Sequence, residues 1–236
     1  MRNAFSALFL SVVACTPLED RIEIFDPEWC TDIPSEDYED PEDPDVKGAP
    51  RRAAFGCPID GDTFNTVGCE DQAEVWETIR LLGPDTPEKE GSWVGSGENR
   101  VQLTQDDCYA QEASDFLERV LNGRTLRLEF DETCMGDYGR RLAYVFITVE
   151  VDDAFRQEID DFGDLIPDSD EAEDVLVNEW MLRAGISDIW PSFSTRNPDA
   201  RYFDRLLEAR ETAALAELGG WGACKEDSHV FPNVDR

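Results

Sequence analysis

Arg80-Leu81-Leu82-Gly83-Pro84-Asp85-Thr86-Pro87-Glu88 is the stretch on which the reading of this chain turns. It issues from Ala73–Leu82, where Val75, Glu77 and Ile79 alternate with Trp76, Thr78 and Arg80. That period of two predicts a strand. Upstream stand Ile59-Asp60-Gly61-Asp62-Thr63 and then Val67–Asp71, which reads as the turn feeding the strand. Each piece alone has an ordinary structural reading. Gly61-Asp62-Thr63 is a turn, Thr86-Pro87-Glu88 starts a helix or loop, and Arg140 farther along is a surface charge.

Downstream, residues 107–123 set Ala110, Ala113, Leu117, Val120 and Leu121 at helical spacing, with Asp106 or Asp107 as N-cap and Asn122-Gly123 as the stop. Leu126, Leu128 and Phe130 alternate with Arg127 and Glu129 in a second strand, and Leu142–Val149 forms a third. Residues 149–176 carry 12 acidic side chains and 1 basic, and read as a solvated acidic inserted loop. Residues 175–184 then form a short helix stopped by Gly185. Asn197-Pro198 opens a last helix running to Gly219-Gly220. Strands with a helix between them, then helices at the end, predict a compact α+β domain over residues 51–224, followed by a tail at 225–236.

The chain of 236 residues holds 54 Asp and Glu against 21 Lys and Arg, a net charge of −33. Hydrophobic residues at 41% suffice for a core, so wholesale disorder is excluded. A single histidine, His229, leaves His-based triads and His-rich metal sites without material. Arg2 and the apolar run Ala4–Ala14 are too short to span a membrane, which takes about 20 residues, and predict an export signal over 1–15. Residues 16–50, with 13 acidic and 2 basic side chains, cannot bury enough apolar surface to order themselves, and are expected to be a disordered tether. Seven cysteines are an odd count for an exported chain. Modification of Cys15 would leave six, enough for three disulfides with fifteen connectivities open.

Val12-Val13-Ala14-Cys15 resembles the lipobox of bacterial lipoproteins, which implies a lipid anchor on Cys15 and a place at the cell envelope, or secretion. Five segments in order resemble the thermonuclease (staphylococcal nuclease-like) family. They are Ile59–Thr63, Arg80–Glu88, Tyr109-Ala110-Gln111-Glu112-Ala113-Ser114, Asp137-Tyr138-Gly139-Arg140-Arg141-Leu142-Ala143-Tyr144, and Val177-Asn178-Glu179 with Arg183-Ala184-Gly185. The resemblance runs from about Phe55 to Trp221. It implies an OB-type five-stranded β-barrel with three helices, and Ca²⁺-dependent cleavage of DNA or RNA leaving 3′-phosphates. By it, Asp62 and Asp85 ligate Ca²⁺ through their carboxylates and Thr86 through its backbone carbonyl. Arg80 and Arg140 bind phosphate, and Glu88 activates or orients the attacking water.

The chemistry wants the same residue types. Oxygen donors suit a hard cation, a guanidinium pairs with a phosphate in two places, and a carboxylate takes a proton without any histidine. The segment from Glu88 to Tyr109 is longer than the family pattern. Where the family places two tyrosines, the chain reads Ile189-Trp190-Pro191-Ser192-Phe193, leaving Trp190 or Phe193 to stack a base or to join the core. A monomer with no obligate protein partner is expected. The rival readings are a non-catalytic barrel that binds nucleic acid or protein, and a structural envelope lipoprotein. Of the net charge, 16–50 and 149–176 carry −11 each, so most of the acidity lies outside the candidate catalytic body.

Overall fold

The computed structural model describes residues 51–66, 77–94, 100–131, 134–136, 139–150, 171–193, 200–224 and 229–231. The expected signal, Cys15 anchor, tether at 16–50, turn at 67–71, most of the acidic insert, the Asn197-Pro198 helix start and most of the C-terminal tail lie outside them. No described helix is long and apolar enough to cross a membrane.

The domain is mixed α+β. Its main sheet takes β1 (Arg51–Ala54), β2 (Cys57–Pro58), β3 (Thr63–Asn65), β4 (Thr78–Leu81), β8 (Thr125–Glu129) and β9 (Arg141–Val149), in the order β1-β8-β9-β4-β3-β2. β10 (Glu173–Leu176) adds to β9 as a seventh strand. No ladder among the described residues closes this sheet into a barrel, although its two end strands are neighbours in the chain. Short pairs complete the strand set: β5 (Pro84–Asp85) with β11 (Asp188–Ile189), and β6 (Trp93–Val94) with β7 (Val101–Gln102). The helices among the described residues are α1 (Ala110–Leu121), α2 (Val177–Arg183), α3 (Phe203–Leu215) and α4 (Gly220–Ala223).

β9 is buried along almost its whole length because it is covered on both sides. On one side Phe64, Ile79, Leu117, Leu121, Val145, Ile147 and Trp180 form the main core under α1. On the other, Leu142, Tyr144 and Phe146 meet Leu182, Phe193 and Leu206. Each fully buried Leu or Ile there contributes about 1.5–3 kcal/mol. Asn178 of α2 fastens these layers: its Nδ2 donates to the carbonyls of Leu82 (2.9 Å) and Ala143 (3.2 Å), and its Oδ1 accepts from Val145 N (2.8 Å). Glu179, 1% exposed, is neutralised by Arg183 and Arg205, so this pair of family-like residues builds the scaffold.

Three sequence expectations change. The N-cap of α1 is Tyr109, at φ 74°, and no side chain caps the helix; the Asp107 carboxylate instead accepts from the backbone N–H groups of Cys108 and His229. The end of the acidic segment is strand β10, because Asp174 finds Arg127 Nη2 (3.0 Å) and Thr148 Oγ1 (2.9 Å) across the sheet. That same strand takes Val175 and Leu176 from the expected helix, which begins at Val177. Cys57, Cys108, Cys134 and Cys224 are disulfide-bonded, with Cys108 joined to Cys224.

Candidate active site

Asp62 stands at the centre of the site. The turn before β3 is closed by Ile59 N donating to Thr63 O (2.8 Å) and Asp62 N donating to Asp60 Oδ1 (3.1 Å). Only glycine fits between the two aspartates. A Cβ on Gly61 would lie 2.5 Å from the Ala113 Cβ on α1 and 2.8 Å from Thr86 Oγ1. The turn is thus pressed against the helix and the Thr86 loop, which drives Asp62 into the interior at 1% exposure.

Register brings the other residues in. β3 and β4 are antiparallel with Thr63 opposite Arg80, and Leu81 N donates to Asp62 O (2.8 Å). After Gly83, at φ +104°, the chain turns into β5, where Asp85 pairs with Asp188 of β11. β9 runs parallel to β4 with Arg80 opposite Leu142, which sets Arg140, half-buried, just before β9 on the same side of the sheet order.

The contacts converge on two carboxylates. Asp62 Oδ1 accepts from Thr63 Oγ1 (2.9 Å) and pairs with Arg80 Nη1 (2.9 Å), while Oδ2 accepts from Thr86 N (3.0 Å). Arg80 Nη2 reaches Asp85 Oδ1 at 2.7 Å, so one guanidinium bridges the two aspartates. Glu88 is half-buried and hydrogen-bonded to the Ser92 side chain, and it feels the charges of Asp62, Arg80 and Arg140. The residues expected to hold metal, phosphate or water, Asp62, Arg80, Asp85, Thr86, Glu88 and Arg140, therefore belong to one interacting group.

Asp60 belongs to it too, although the sequence reading quoted it without assigning it a role. Burial, then the charges of Asp62 and Glu88, push its carboxyl up to about 8 against the pull of Arg80. No local signal marked it, because the groups that crowd the turn, Ala113 and Thr86, are distant in sequence. Burial and Asp62 likewise push Asp85 up to about 7, again opposed by Arg80. Glu88 is raised by burial and by Asp62, with Ser92, Arg80 and Arg140 pulling the other way. Burial alone would disfavour a charged Arg80, but Asp62 and Asp85 outweigh it and hold the guanidinium protonated.

Four carboxylates thus interact with two arginines, and two of the four sit far above the usual carboxylate range. Such a cluster is short of positive charge. Its donors are all oxygen, the set a hard cation takes. Among the described residues no three Asp, Glu, His or Cys side chains stand ready-made around one ion. Arg80 occupies the two aspartates instead.

The aromatic expectations resolve differently for each residue. Phe193 is fully buried against Leu206 and Phe203, and is therefore core and no base platform. Trp190 is half-buried on the same cluster, with its backbone N–H donating to Gly83 O (2.9 Å).

An acidic cluster bridged by one arginine thus lies where β3 meets β4 in a mixed sheet, pressed against α1 and the Thr86 loop. The chain belongs to the staphylococcal nuclease homologue family, whose model matches residues 78–223. It is 36% identical over 93 residues to a thermonuclease of Staphylococcus hyicus, covering 39% of this chain and 47% of that protein. A thermonuclease of Staphylococcus intermedius matches at 34% over the same shares. An uncharacterised protein of Bacillus anthracis matches at 29% over 163 residues, 69% of this chain and 56% of its own length. The chain thus spans about half the length of the curated relatives it matches. Asp60 and Asp62 precede the family match, so their place in the site rests on the contacts above.

Proposed function

We propose that this chain is a Ca²⁺-dependent nuclease that hydrolyses phosphodiester bonds of DNA or RNA and leaves 3′-phosphates. The observation that carries the reading is the bridging of Asp62 and Asp85 by Arg80, with Glu88 and Arg140 in the same electrostatic group. Asp62 and Asp85 would hold calcium with the Thr86 carbonyl, and the raised Asp60 and Asp85 carboxyls mark a cluster in which negative charge exceeds positive. When bound, the ion supplies polarisation of a phosphoryl oxygen. Arg80 and Arg140 offer paired N–H donors to a phosphate whose negative charge grows in the transition state. Glu88 accepts the proton of the attacking water, and its upward shift suits a base working nearer neutral pH.

We read the sheet as OB-type, supported by the family and by β1 and β2 standing at opposite ends of the strand order while only two residues apart in the chain. Export, with a lipid anchor on Cys15, is part of the same proposal. It is checked by incorporation of labelled fatty acid that Cys15→Ser abolishes; unlabelled protein refutes it. The catalytic test is cleavage of DNA and RNA with Ca²⁺, with EDTA, and in Arg80→Ala and Glu88→Ala. Loss in the last three is expected. Equal cleavage in all four, or none with Ca²⁺ at any salt concentration, overturns the proposal. Because the protein is acidic, cleavage is expected to tolerate salt that weakens a basic nuclease. A steep fall between low and moderate salt speaks against that.

A further inference from the structure

The nuclease reading leaves a problem of affinity. A chain of net charge −33 gains nothing from long-range attraction to a polyanion, and two site arginines address only the phosphate being cut. Binding of a strand must draw on contacts that do not depend on net charge. Stacking of bases on an exposed aromatic ring is such a contact, because every base has a π-face and salt does not screen it.

The segment between Glu88 and α1 carries one. β6 and β7 pair with Trp93 opposite Gln102 and Val94 opposite Val101. The base of this hairpin is held firmly: Gly91 N donates to Leu103 O (2.9 Å), Leu103 N to Ser92 O (2.9 Å), and Asp107 N to Glu88 O (2.9 Å). Glu90 N adds a bond to Asp106 Oδ1 (2.8 Å). Val94 turns inward at 8% exposure, and the alternation of the strand turns Trp93 outward at 53%. The Arg100 guanidinium lies 5.4 Å from the centre of the Trp93 ring. The indole is thus held half in water beside a cation, leaving much of its surface open to a ligand.

Ser92, next in sequence to Trp93, is the residue whose side chain holds Glu88. The hairpin therefore carries the stacking ring and steadies the proposed general base as one element. Five residues of chain span at most about 17 Å, so the ring stands within a few nucleotides of Glu88. Trp93 takes no part in the contacts of the Arg80 cluster that hold Asp62 and Asp85. That suits a flanking nucleotide better than the one being cut.

We propose that Trp93 and Arg100 form a base-stacking subsite for a nucleotide flanking the scissile phosphate of a single strand. The proposal rests on the nuclease reading above, and its test separates the two. Steady-state kinetics of the full chain with Ca²⁺ would compare a dinucleotide with a single strand of about 12 nucleotides. Trp93→Ala is expected to raise KM for the longer strand roughly tenfold more than for the dinucleotide, with kcat changed much less. Trp93→Phe, which keeps a π-face, should restore most of the difference. Leu215→Ser, removing a side chain that is 85% exposed on α3, serves as the control for loss of surface apolar area and should change neither KM. Equal KM changes on both substrates, or no rescue by phenylalanine, overturn the subsite while leaving the nuclease intact. If the wild-type chain cuts neither substrate, the nuclease reading fails. Anisotropy of a labelled strand in EDTA then decides the subsite alone: tenfold weaker binding by Trp93→Ala supports it, and unchanged binding overturns it.

Discussion

Replacing Arg80 with methionine should abolish cleavage and yet tighten calcium binding. The two effects separate because the guanidinium pairs with both carboxylates proposed to hold the ion, Asp62 Oδ1 at 2.9 Å and Asp85 Oδ1 at 2.7 Å. A single positive charge about 5 Å from a doubly charged ion, at an effective dielectric constant of about 20, opposes binding by on the order of 6 kcal/mol. Most of that is offset in the variant, since unpaired carboxylates take up protons that the ion must then expel. A net gain of about 1.4 kcal/mol, or a tenfold lower Kd, is the minimum expected at pH 8. Titration calorimetry of the calcium-depleted protein reads the Kd, and an assay on single-stranded DNA reads the loss of cleavage. An unchanged or weaker Kd refutes the reasoning. It would mean that Arg80 holds the aspartates in place for the ion and does not compete with it.

Gly61→Ala should cost about 1–3 kcal/mol of stability, because its Cβ would overlap Ala113 and Thr86, and calcium affinity should fall with it; a thermal melt unchanged within error rejects the packing account. In EDTA, the folded state holds a proton on Asp60 up to about pH 8 that the unfolded chain releases near its ordinary value of 3.8. The folded state thus binds more protons across that window, and the Asp60 contribution lowers stability as pH rises from about 4 to about 8. Asp60→Asn, which can still accept from Asp62 N, should therefore gain on wild type in urea midpoint between pH 5 and pH 8, and a constant or shrinking gap contradicts this. Removing the Cys108–Cys224 link, which joins residues 116 apart, by changing both to serine should cost about 2–4 kcal/mol, read as a lower Tm under non-reducing conditions.

Much of the site was legible because its parts lie in short runs at strand ends. Arg80 to Glu88 passes from β4 through β5 to the start of the hairpin, so the order of residues is already their order around the cluster. The helix over 107–123 and the strand from Leu142 were visible for the same local reason, a regular apolar period. What stayed hidden depends on partners distant in sequence. Nothing local shows that Asp62 is buried or that Asp60 shares its proton balance, since Ala113 and Thr86 close the space around Gly61 from 52 and 25 residues away. β10 was hidden by its charges, because only Arg127 and Thr148 across the sheet make Asp174 acceptable in a strand. The cap of α1 was misplaced because Asp107 turns to His229, near the far end of the chain.

The disulfide between Cys108 and Cys224 has a bearing on how this protein would survive among proteases. Every peptide bond from residue 109 to residue 223 lies inside the covalent ring that it closes, including the whole acidic segment 149–176. A single cut anywhere in that ring opens it but leaves the two pieces joined by the disulfide, so they stay tethered at whatever concentration the molecule is diluted to. Such nicked protein would run as an intact band without reductant and as two fragments with it.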